Sequence, residues 1–375
     1  MNVYKLAMGV AAVGLAVALL LTAFGRIAQA GPFFIVFFAA LALGCRGFAP
    51  LRGFAYTVMI FAAVTTALYY PAYFVSVGTF KFTTLITPLI QLIMFGMGTS
   101  MSVQDFIGVI KMPKGVLLGI VCQFTIMPCI GFLLANLSGF SAEIAAGIIL
   151  IGCSPSGLAS NVMNYLAKAN LALSITITAI TTLLAPFFTP LLMKLLAGAF
   201  VEIEVLDMMW DIVKMVILPI GAGLLFNKLL HGKAKWLDDA MPLVSMFGIA
   251  FIITIITAAG RDSLLDIGGL LILLVLVHNT AGYFLGYWGG RLFRMSEQDC
   301  RTIAIEVGMQ NGGLASGIAK EMGKIATIGL APAVFGPLMN ITGSILASYW
   351  HRKPPPVDAS GERPRPEKPM ALAEQ

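Results

Sequence analysis

Long apolar stretches, separated by short polar ones, recur along the whole chain. Twelve of them are close to the about 20 residues that a helix needs to cross a bilayer. They cover residues 4–25, 31–49, 55–77, 84–100, 115–137, 142–165, 171–197, 209–230, 240–260, 266–290, 302–322 and 326–350. The runs are too long for barrel strands and do not alternate with period two. Because a helix satisfies its own backbone in lipid, the pattern predicts an all-α polytopic membrane protein.

The composition agrees with that prediction. Of the 375 residues, 58% are hydrophobic and only 11% are charged, and the mean hydropathy is +0.90. An ordinary soluble domain carries about 25% charged residues. We therefore expect membrane lipid to be the environment of the helices.

The distribution of charge indicates topology rather than a nucleic-acid partner. Lys and Arg are scattered between the apolar runs, although the formal net charge is +6. With a cytoplasmic N-terminus, about twice as many of them fall inside as outside, which predicts that both termini are cytoplasmic. No Arg- and Ser-rich transit segment precedes the first run, which favours a bacterial inner membrane. Nothing in the sequence requires an oligomer.

The two ends of the chain differ from the rest. Residues 1–50 hold two apolar runs, and Lys5 with Ala28-Gln29-Ala30 resembles a secretory signal and its cleavage site. The apolar core is long for a signal, so we favour a retained helix and predict an extra hydrophobic hairpin. Residues 351–375 are rich in Pro and charge and are predicted to form a disordered cytoplasmic tail.

A weak internal repeat divides the segment between these ends. SGLASN at 156–161 and GGLASG at 312–317 share four residues at a separation of 156, and nearly the same separation pairs Gln123 with His278. Residues 51–200 and 201–350 then form two domains of five runs each. An odd number of helices inverts the second half relative to the first, and transporters with that arrangement place their site at the repeat interface.

The fourth run of each half contains residues that interrupt a helix. Pro155 removes a backbone donor, and Gly312 and Gly313 let the backbone leave helical geometry. An interruption in lipid is tolerated only where it faces protein or a water-filled cavity. Two interruptions at matching places predict discontinuous helices that cross around a cavity. The alternative is that the glycines only permit close helix packing.

Polar residues accompany both interruptions. A carboxylate such as Glu306 costs a few kcal/mol near the middle of a membrane helix, so we expect it to be paired, protonated or holding a cation. Gln310 and Asn311 follow Glu306, and Ser160 and Asn161 occupy the other interruption. In the next run, Ser174 and Thr178 are spaced i, i+4 on one helical face. Two alternatives remain: Glu306 lies solvated at the helix mouth, and the Ser174 and Thr178 hydroxyls bond back to their own helix.

The chemistry of this set favours a hard monovalent cation. Hydroxyls, amide oxygens, freed carbonyls and one carboxylate can replace the water shell of Na⁺. A transition metal prefers imidazole or thiolate, and neither is clustered here.

Two long motifs, GCSPSGLASNVMNYLAKANLALSITIT at 152–178 and IEVGMQNGGLA at 305–315, resemble those of the bile acid:sodium symporter family. The resemblance covers about residues 84–350. It implies ten helices in two inverted repeats, with the fourth helix of each repeat unwound and crossing, and two Na⁺ ions behind the crossing. One ion is implied to bind Ser160, Asn161, Ser174, Thr178 and Glu306. The other is implied to bind Gln123, Glu306, Gln310 and the main-chain oxygens of Val307 and Met309.

The sequence departs from the family at two places. The first two apolar runs have no position in a ten-helix core. Met339-Asn340 stands where many bile-acid-handling members have His-Asn, so the substrate pocket is expected to differ. We predict that Asn311 and Asn340 hold the polar end of the substrate, together with the dipoles of the interrupted helices.

Together these observations predict a Na⁺-coupled symporter of a small organic anion that works by alternating access. Two alternatives belong to other classes: an intramembrane enzyme that uses Glu306 as acid or base with His278, and a passive channel lined by Glu306. No set of nucleophile, base and orienting residue is visible, so an enzyme is not favoured. A channel does not require inverted halves with matched interruptions.

Overall fold

The computed structural model describes residues 3–48, 51–101, 109–230 and 235–353. Nearly all of these residues are helical. A small antiparallel hairpin pairs β1 (Ser76–Val77) with β2 (Phe80–Lys81). The α-helices, in chain order, are α1 Val3–Ala23, α2 Ile27–Cys45, α3 Ala55–Tyr69, α4 Ala72–Val75, α5 Ile86–Ser100, α6 Pro113–Leu137, α7 Ala142–Gly152, α8 Ala159–Leu166, α9 Leu171–Ala197, α10 Val205–Ile212, α11 Leu218–Leu230, α12 Lys235–Ala259, α13 Arg261–Leu292, α14 Glu297–Gly308, α15 Gly312–Glu321 and α16 Leu330–Arg352. A π-helical turn, Val213–Ile217, joins α10 to α11.

Within the described ranges, eight helical segments are long and apolar enough to cross a membrane. Most of the predicted runs therefore appear as single helices, and the chain is an all-α polytopic membrane protein. The run at 55–77 ends early, at Tyr69, because Pro71 follows and disfavours helical geometry in the residue before it. The runs at 142–165 and 302–322 are each divided into two shorter helices.

The helices pack in two groups. One group contains α3, α5, α11 and α12, and the other contains α6, α7, α9, α13, α14 and α16. α1 and α2 pack on each other, and α2 joins this hairpin to α3.

The divided helices lie at the centre of the second group. Every residue of α7 from Ile144 to Gly152 is buried, and so is every residue of α14 from Cys300 to Gly308. A helix that is buried on all sides is surrounded by other helices. The interruptions that follow α7 and α14 are therefore enclosed in protein rather than exposed to lipid.

The structure corrects one boundary at the C-terminal end. α16 continues to Arg352, two residues into the segment predicted as a tail. Its apolar residues pack on α13, and the exposed His351 ring contacts the Leu166 carbonyl at 2.8 Å. The rest of the predicted tail, 354–375, lies outside the described residues.

Candidate functional site

The two interrupted segments pair with each other through their backbones. The Gly157 N–H donates to the Met309 carbonyl at 2.9 Å, and the Asn311 N–H donates to the Pro155 carbonyl at 2.8 Å. Pro155 has no N–H of its own, so only its carbonyl can take part. A Cβ at position 157 would lie 2.6 Å from the Gln310 carbonyl oxygen, so this approach requires glycine. The pairing satisfies backbone groups that the helices leave open.

Glu306 lies beside this pairing and is fully buried. Its Oε1 accepts hydrogen bonds from the Ser160 and Ser174 hydroxyls, both at 2.6 Å, and from Asn164 Nδ2 at 3.1 Å. Its Oε2 accepts from the Thr178 hydroxyl at 2.7 Å. The four donors are neutral, and Glu306 makes no ion pair with any residue in the described ranges. The alternative of a solvated glutamate at the helix mouth is therefore wrong.

The hydroxyls around Glu306 contact further oxygens. The Ser174 hydroxyl lies 2.7 Å from Asn161 Oδ1, and the Thr178 hydroxyl lies 3.4 Å from the same atom. The Ser160 and Thr178 hydroxyls lie 3.3 Å apart. Because these contacts join different helices, the alternative that Ser174 and Thr178 bond only within their own helix is also wrong. The structure thus gathers the five residues implied for the first ion.

Sequence reasoning missed Asn164, which faces the same cluster. Asn164 Nδ2 donates to the Ser174 hydroxyl at 2.8 Å as well as to Glu306. Asn164 Oδ1 is buried and has no hydrogen-bond partner among the described residues. Asn164 follows Ser160 by four residues, which places both on one face of α8. That spacing is the signal that could have identified it.

The residues implied for the second ion also lie together, but most of their polar atoms pair with one another. Gln123 Nε2 donates to Gln310 Oε1 at 2.8 Å and to the Ser154 carbonyl at 2.9 Å. Gln310 Nε2 donates to the Val307 carbonyl at 2.6 Å. The Met309 carbonyl accepts from Gly157, as described above. Gln123 Oε1 is buried and has no partner within the described ranges.

Asn279, the neighbour of His278, makes a contact similar to one made by Gln123. Asn279 follows Gln123 by 156 residues, the separation of the Gly-Leu-Ala-Ser motifs. Its Nδ2 donates to the carbonyl of Gly308, the last residue of α14, at 2.8 Å, and Gln123 Nε2 donates to the carbonyl of Ser154, two residues after α7 ends. His278 instead contacts the Met127 carbonyl through Nε2 at 2.9 Å.

His278 packs edge-on against the ring of Phe335, with 5.7 Å between ring centroids. It makes no hydrogen bond to Glu306 in the described part of the chain. The structure therefore does not bring together the acid-base pair that an intramembrane enzyme would use.

The two predicted substrate residues lie on different elements. Asn311 is the N-cap of α15, where its Oδ1 accepts from the Leu314 N–H at 3.0 Å. This bond leaves the amide nitrogen as the group that Asn311 can offer to a ligand. Asn340 is half-buried on α16. No hydrogen bond joins Asn340 to Asn311 among the residues described.

No group of three or more His, Cys, Asp or Glu side chains in the described ranges is placed to hold a metal ion. The cluster at Glu306 consists of hydroxyl, amide and carboxylate oxygens.

Residues 87–267 match the sequence profile of the Sodium Bile acid symporter family. The uncharacterized sodium-dependent transporter YocS of Bacillus subtilis is 38% identical over 297 residues, which are 79% of this chain and 90% of that protein.

The chain belongs to the Sodium Bile acid symporter family.

Further relatives come from a plant. The chain is 32% identical to the probable sodium/metabolite cotransporter BASS1, chloroplastic, of Oryza sativa subsp. japonica, over 80% of this chain and 73% of that protein. It is 31% identical to the probable sodium/metabolite cotransporter BASS2, chloroplastic, of the same plant, over 76% of this chain and 68% of that protein. As a member of the Sodium Bile acid symporter family, the chain is a sodium-coupled transporter and not an enzyme. It is an integral protein of the bacterial plasma membrane.

Proposed function

We propose that this member of the Sodium Bile acid symporter family couples two Na⁺ ions to the uptake of a small organic anion by alternating access. The observation that carries the proposal is the environment of Glu306. A buried carboxylate is normally paired with a cation or coordinates a metal. Glu306 has four neutral donors instead, and its neighbours offer oxygens. A cation from solution would complete the balance of charge.

Ser160, Asn161, Ser174, Thr178 and Glu306 are proposed to hold the first Na⁺. A hydroxyl can donate its proton to Glu306 and still direct its lone pairs at a cation. The Ser174 hydroxyl has one proton and lies within 2.7 Å of two acceptor oxygens. Asn164 Oδ1 adds a buried carbonyl oxygen without a hydrogen-bond partner in the described part of the chain, and burying such an acceptor unpaired costs about 1–3 kcal/mol. A cation at this place would interact favourably with the crowded oxygens around Ser174 and with the unpaired Asn164 Oδ1.

Gln123, Gln310, Glu306 and the carbonyls of Val307 and Met309 are proposed to hold the second Na⁺. The unpaired Gln123 Oε1 supports this assignment. Gln310 Oε1 accepts from Gln123, and Gln310 Nε2 donates to the Val307 carbonyl. The Gln310 amide must therefore turn before an ion can bind both Gln310 Oε1 and the Val307 carbonyl oxygen. We therefore expect the second ion to bind more weakly than the first and to depend on rearrangement of Gln310.

The architecture proposed for transport is two inverted five-helix repeats, 51–200 and 201–350, whose fourth helices are discontinuous and cross near the middle of the membrane. The backbone pairing of Gly157 with Met309 supports the crossing. The matched bonds of Gln123 and Asn279 to carbonyls at the two interruptions support the repeat. In transporters of this kind, alternating access is largely the rocking of one bundle against the other around a fixed site.

A monoanion is the proposed substrate class because of charge. Two Na⁺ ions and one Glu306 carboxylate leave a net charge of about +1 in a low-dielectric site, and a monoanion neutralises it. Asn311 and Asn340 are proposed to bind its polar end, with help from the positive N-terminal ends of α8 and α15. The ions and the substrate would then raise each other's affinity reciprocally.

The direct test is uptake into proteoliposomes under an inward Na⁺ gradient, with the same concentrations of K⁺ as the control. A symporter accumulates the anion only while the Na⁺ gradient lasts. Flux that follows the anion gradient regardless of Na⁺ would instead indicate a channel and overturn the proposal. The anion itself can be found by a thermal-shift screen with and without Na⁺, because a ligand stabilises the folded state that binds it.

A further inference from the structure

Two rows of polar side chains face each other between the Glu306 cluster and one end of the molecule. Asn170, Ser174 and Thr178 follow one another at intervals of four residues on α9 and at its N-cap. Asp299, Thr302 and Glu306 lie at i, i+3 and i+7 on one face of α14. Each helical turn along both rows therefore carries a side chain with an oxygen atom.

Hydrogen bonds join the two rows at each level. Asn170 Nδ2 donates to Asp299 Oδ1 at 2.8 Å. The Asn170 N–H donates to the Thr302 hydroxyl at 2.9 Å, and that hydroxyl donates to the Asn170 carbonyl at 3.1 Å. Ser174 and Thr178 then reach Glu306 at 2.6 and 2.7 Å. The rows therefore form one continuous polar seam.

Burial increases along this seam. Asp299 and Asn170 are half-buried, whereas Thr302, Ser174 and Glu306 are fully buried. Elsewhere on α14, Ile303, Ala304 and Ile305 are fully buried and apolar. Arg301, which is also buried on α14, donates to Glu297 and to the Ala167 and Trp350 carbonyls rather than to the seam.

The outer end of the seam lies on the positively charged side of the molecule. The turn before α9 carries Lys168, α13 ends beside Arg291 and Arg294, and the last turn of α16 carries Arg352. By the positive-inside bias this side is cytoplasmic. Asp299 places a carboxylate without an ion pair among the described residues at this opening, where it can attract a cation from the cytoplasm.

We propose that this seam is the route by which the Na⁺ held at Glu306 exchanges with the cytoplasm. The inference rests on the proposed Na⁺ site. The hydroxyls and carbonyls along the seam supply successive oxygens to a partly dehydrated ion. The bonds of Asn170 to Asp299 and Thr302 hold these oxygens in place.

Asp299→Asn tests the route, because it removes the charge and keeps an oxygen that can accept from Asn170. Thr302→Val removes the hydroxyl and keeps the shape. A residue that lines a route changes entry and exit by the same factor, so the binding equilibrium does not change. We expect each variant to slow radioactive Na⁺ exchange from the cytoplasmic side of oriented proteoliposomes about five-fold or more, because Asp299→Asn removes the attracting charge and Thr302→Val removes one oxygen contact. The Na⁺ concentration at half-maximal thermal stabilisation stays within about two-fold of wild type, a difference well under one lost hydrogen bond.

Two matched controls accompany these variants. Thr181→Val removes a buried hydroxyl on α9 that bonds within its own helix, to the Ile177 carbonyl at 2.8 Å. Asp262→Asn removes a carboxylate at the opposite end of the molecule. Neither should slow exchange from the cytoplasmic side.

Unchanged exchange in both test variants, with Na⁺ stabilisation intact, would overturn the route and leave the proposed function standing. A shift of the stabilisation midpoint by the same factor as the rate would also overturn it, since the residues would then act on binding. If wild-type protein is not stabilised by Na⁺ at all, the proposed function itself fails.

Discussion

Two glutamates in the same bundle have opposite surroundings. The Glu143 side chain, in the first turn of α7, is 37% exposed, forms an ion pair with Lys324 and accepts from the Thr327 hydroxyl at 2.6 Å. Glu306 is fully buried and has only neutral donors. Glu143 therefore carries its counter-charge within the protein, whereas Glu306 has none among the described residues.

The contrast indicates what each carboxylate does. An exposed ion pair contributes about 0–1 kcal/mol and mainly fixes local geometry, here between the start of α7 and the turn that precedes α16. A buried carboxylate that lacks an internal cation is costly unless a mobile one supplies the charge. Glu143 is thus suited to a structural role, and Glu306 is suited to the reversible binding of a cation.

The largest effect is expected from Glu306→Gln. The change keeps the volume and one oxygen but removes the charge shared by both proposed ions. The surrounding hydroxyls can turn to accept from the new amide, so we expect the protein to fold. Each hydrogen bond to a charged group contributes about 1.5–3 kcal/mol, so coupled uptake should fall more than about 100-fold. Uptake and Na⁺-dependent thermal stabilisation are measured on one preparation, and a variant that retained both would refute the two-ion proposal.

Smaller effects are expected from Ser174→Ala, Thr178→Val and Asn164→Ala. Each removes one neutral group that contacts Glu306, and one such contact corresponds to about a ten-fold change in affinity. We expect the Na⁺ concentration for half-maximal uptake to rise about ten-fold, with little change in substrate affinity at saturating Na⁺. Thr182→Val is the matched control, because its buried hydroxyl bonds only to the Thr178 carbonyl, at 2.7 Å. Equal Na⁺ dependence in the test and control variants would show that these residues are not ligands.

Gln123→Leu separates the two proposed ions. It removes the unpaired oxygen of the second set and leaves the donors to Glu306 in place. Neutral hydrogen bonds contribute about 1 kcal/mol each, so we expect uptake at a fixed Na⁺ concentration to fall about five-fold. The dependence of uptake on Na⁺ should lose its sigmoidal shape, while thermal stabilisation by Na⁺ persists. A sigmoidal dependence that survives the substitution would argue against a second ion at Gln123.

The smallest effect is expected from Glu143→Gln, which tests the other side of the comparison. The ion pair with Lys324 is partly exposed, so its loss should lower the melting temperature by a few degrees at most. Because salt screens exposed charges, the difference from wild type should shrink in about 1 M KCl. Na⁺ dependence of transport should not change. A large loss of coupling in this variant would show that the contrast between the two glutamates is wrong.

Much of the architecture could be predicted from the sequence, because hydrophobic length and helix-breaking residues are local signals. The breakers at Pro155 and at Gly312 and Gly313 lie where the structure ends α7 and begins α15. The spacing of Ser174 and Thr178 predicted a shared helical face, and the structure places both hydroxyls on Glu306.

The parts that could not be predicted depend on contacts between distant segments. The bond from the Ser156 hydroxyl to the Glu306 carbonyl spans 150 residues. The bonds from Asn164 to Glu306 and from Asn279 to the Gly308 carbonyl likewise join segments that are far apart in the sequence. The apolar run at 55–77 predicts a longer helix than α3, because hydrophobicity alone does not indicate the helix end that Pro71 imposes.

The backbone pairing of the two interrupted segments also constrains how the protein is made. At a synthesis rate of about 5–20 residues per second, Pro155 and Gly157 emerge on the order of ten seconds before Met309 and Asn311. During that interval their carbonyl and N–H groups have no partner inside the membrane, where each unsatisfied group costs several kcal/mol. The first half should therefore remain near the insertion machinery, or accessible to proteases, until the second half arrives. Nascent chains truncated between the two segments should be degraded faster than the complete protein, and co-expression of the missing half as a separate chain should restore their lifetime.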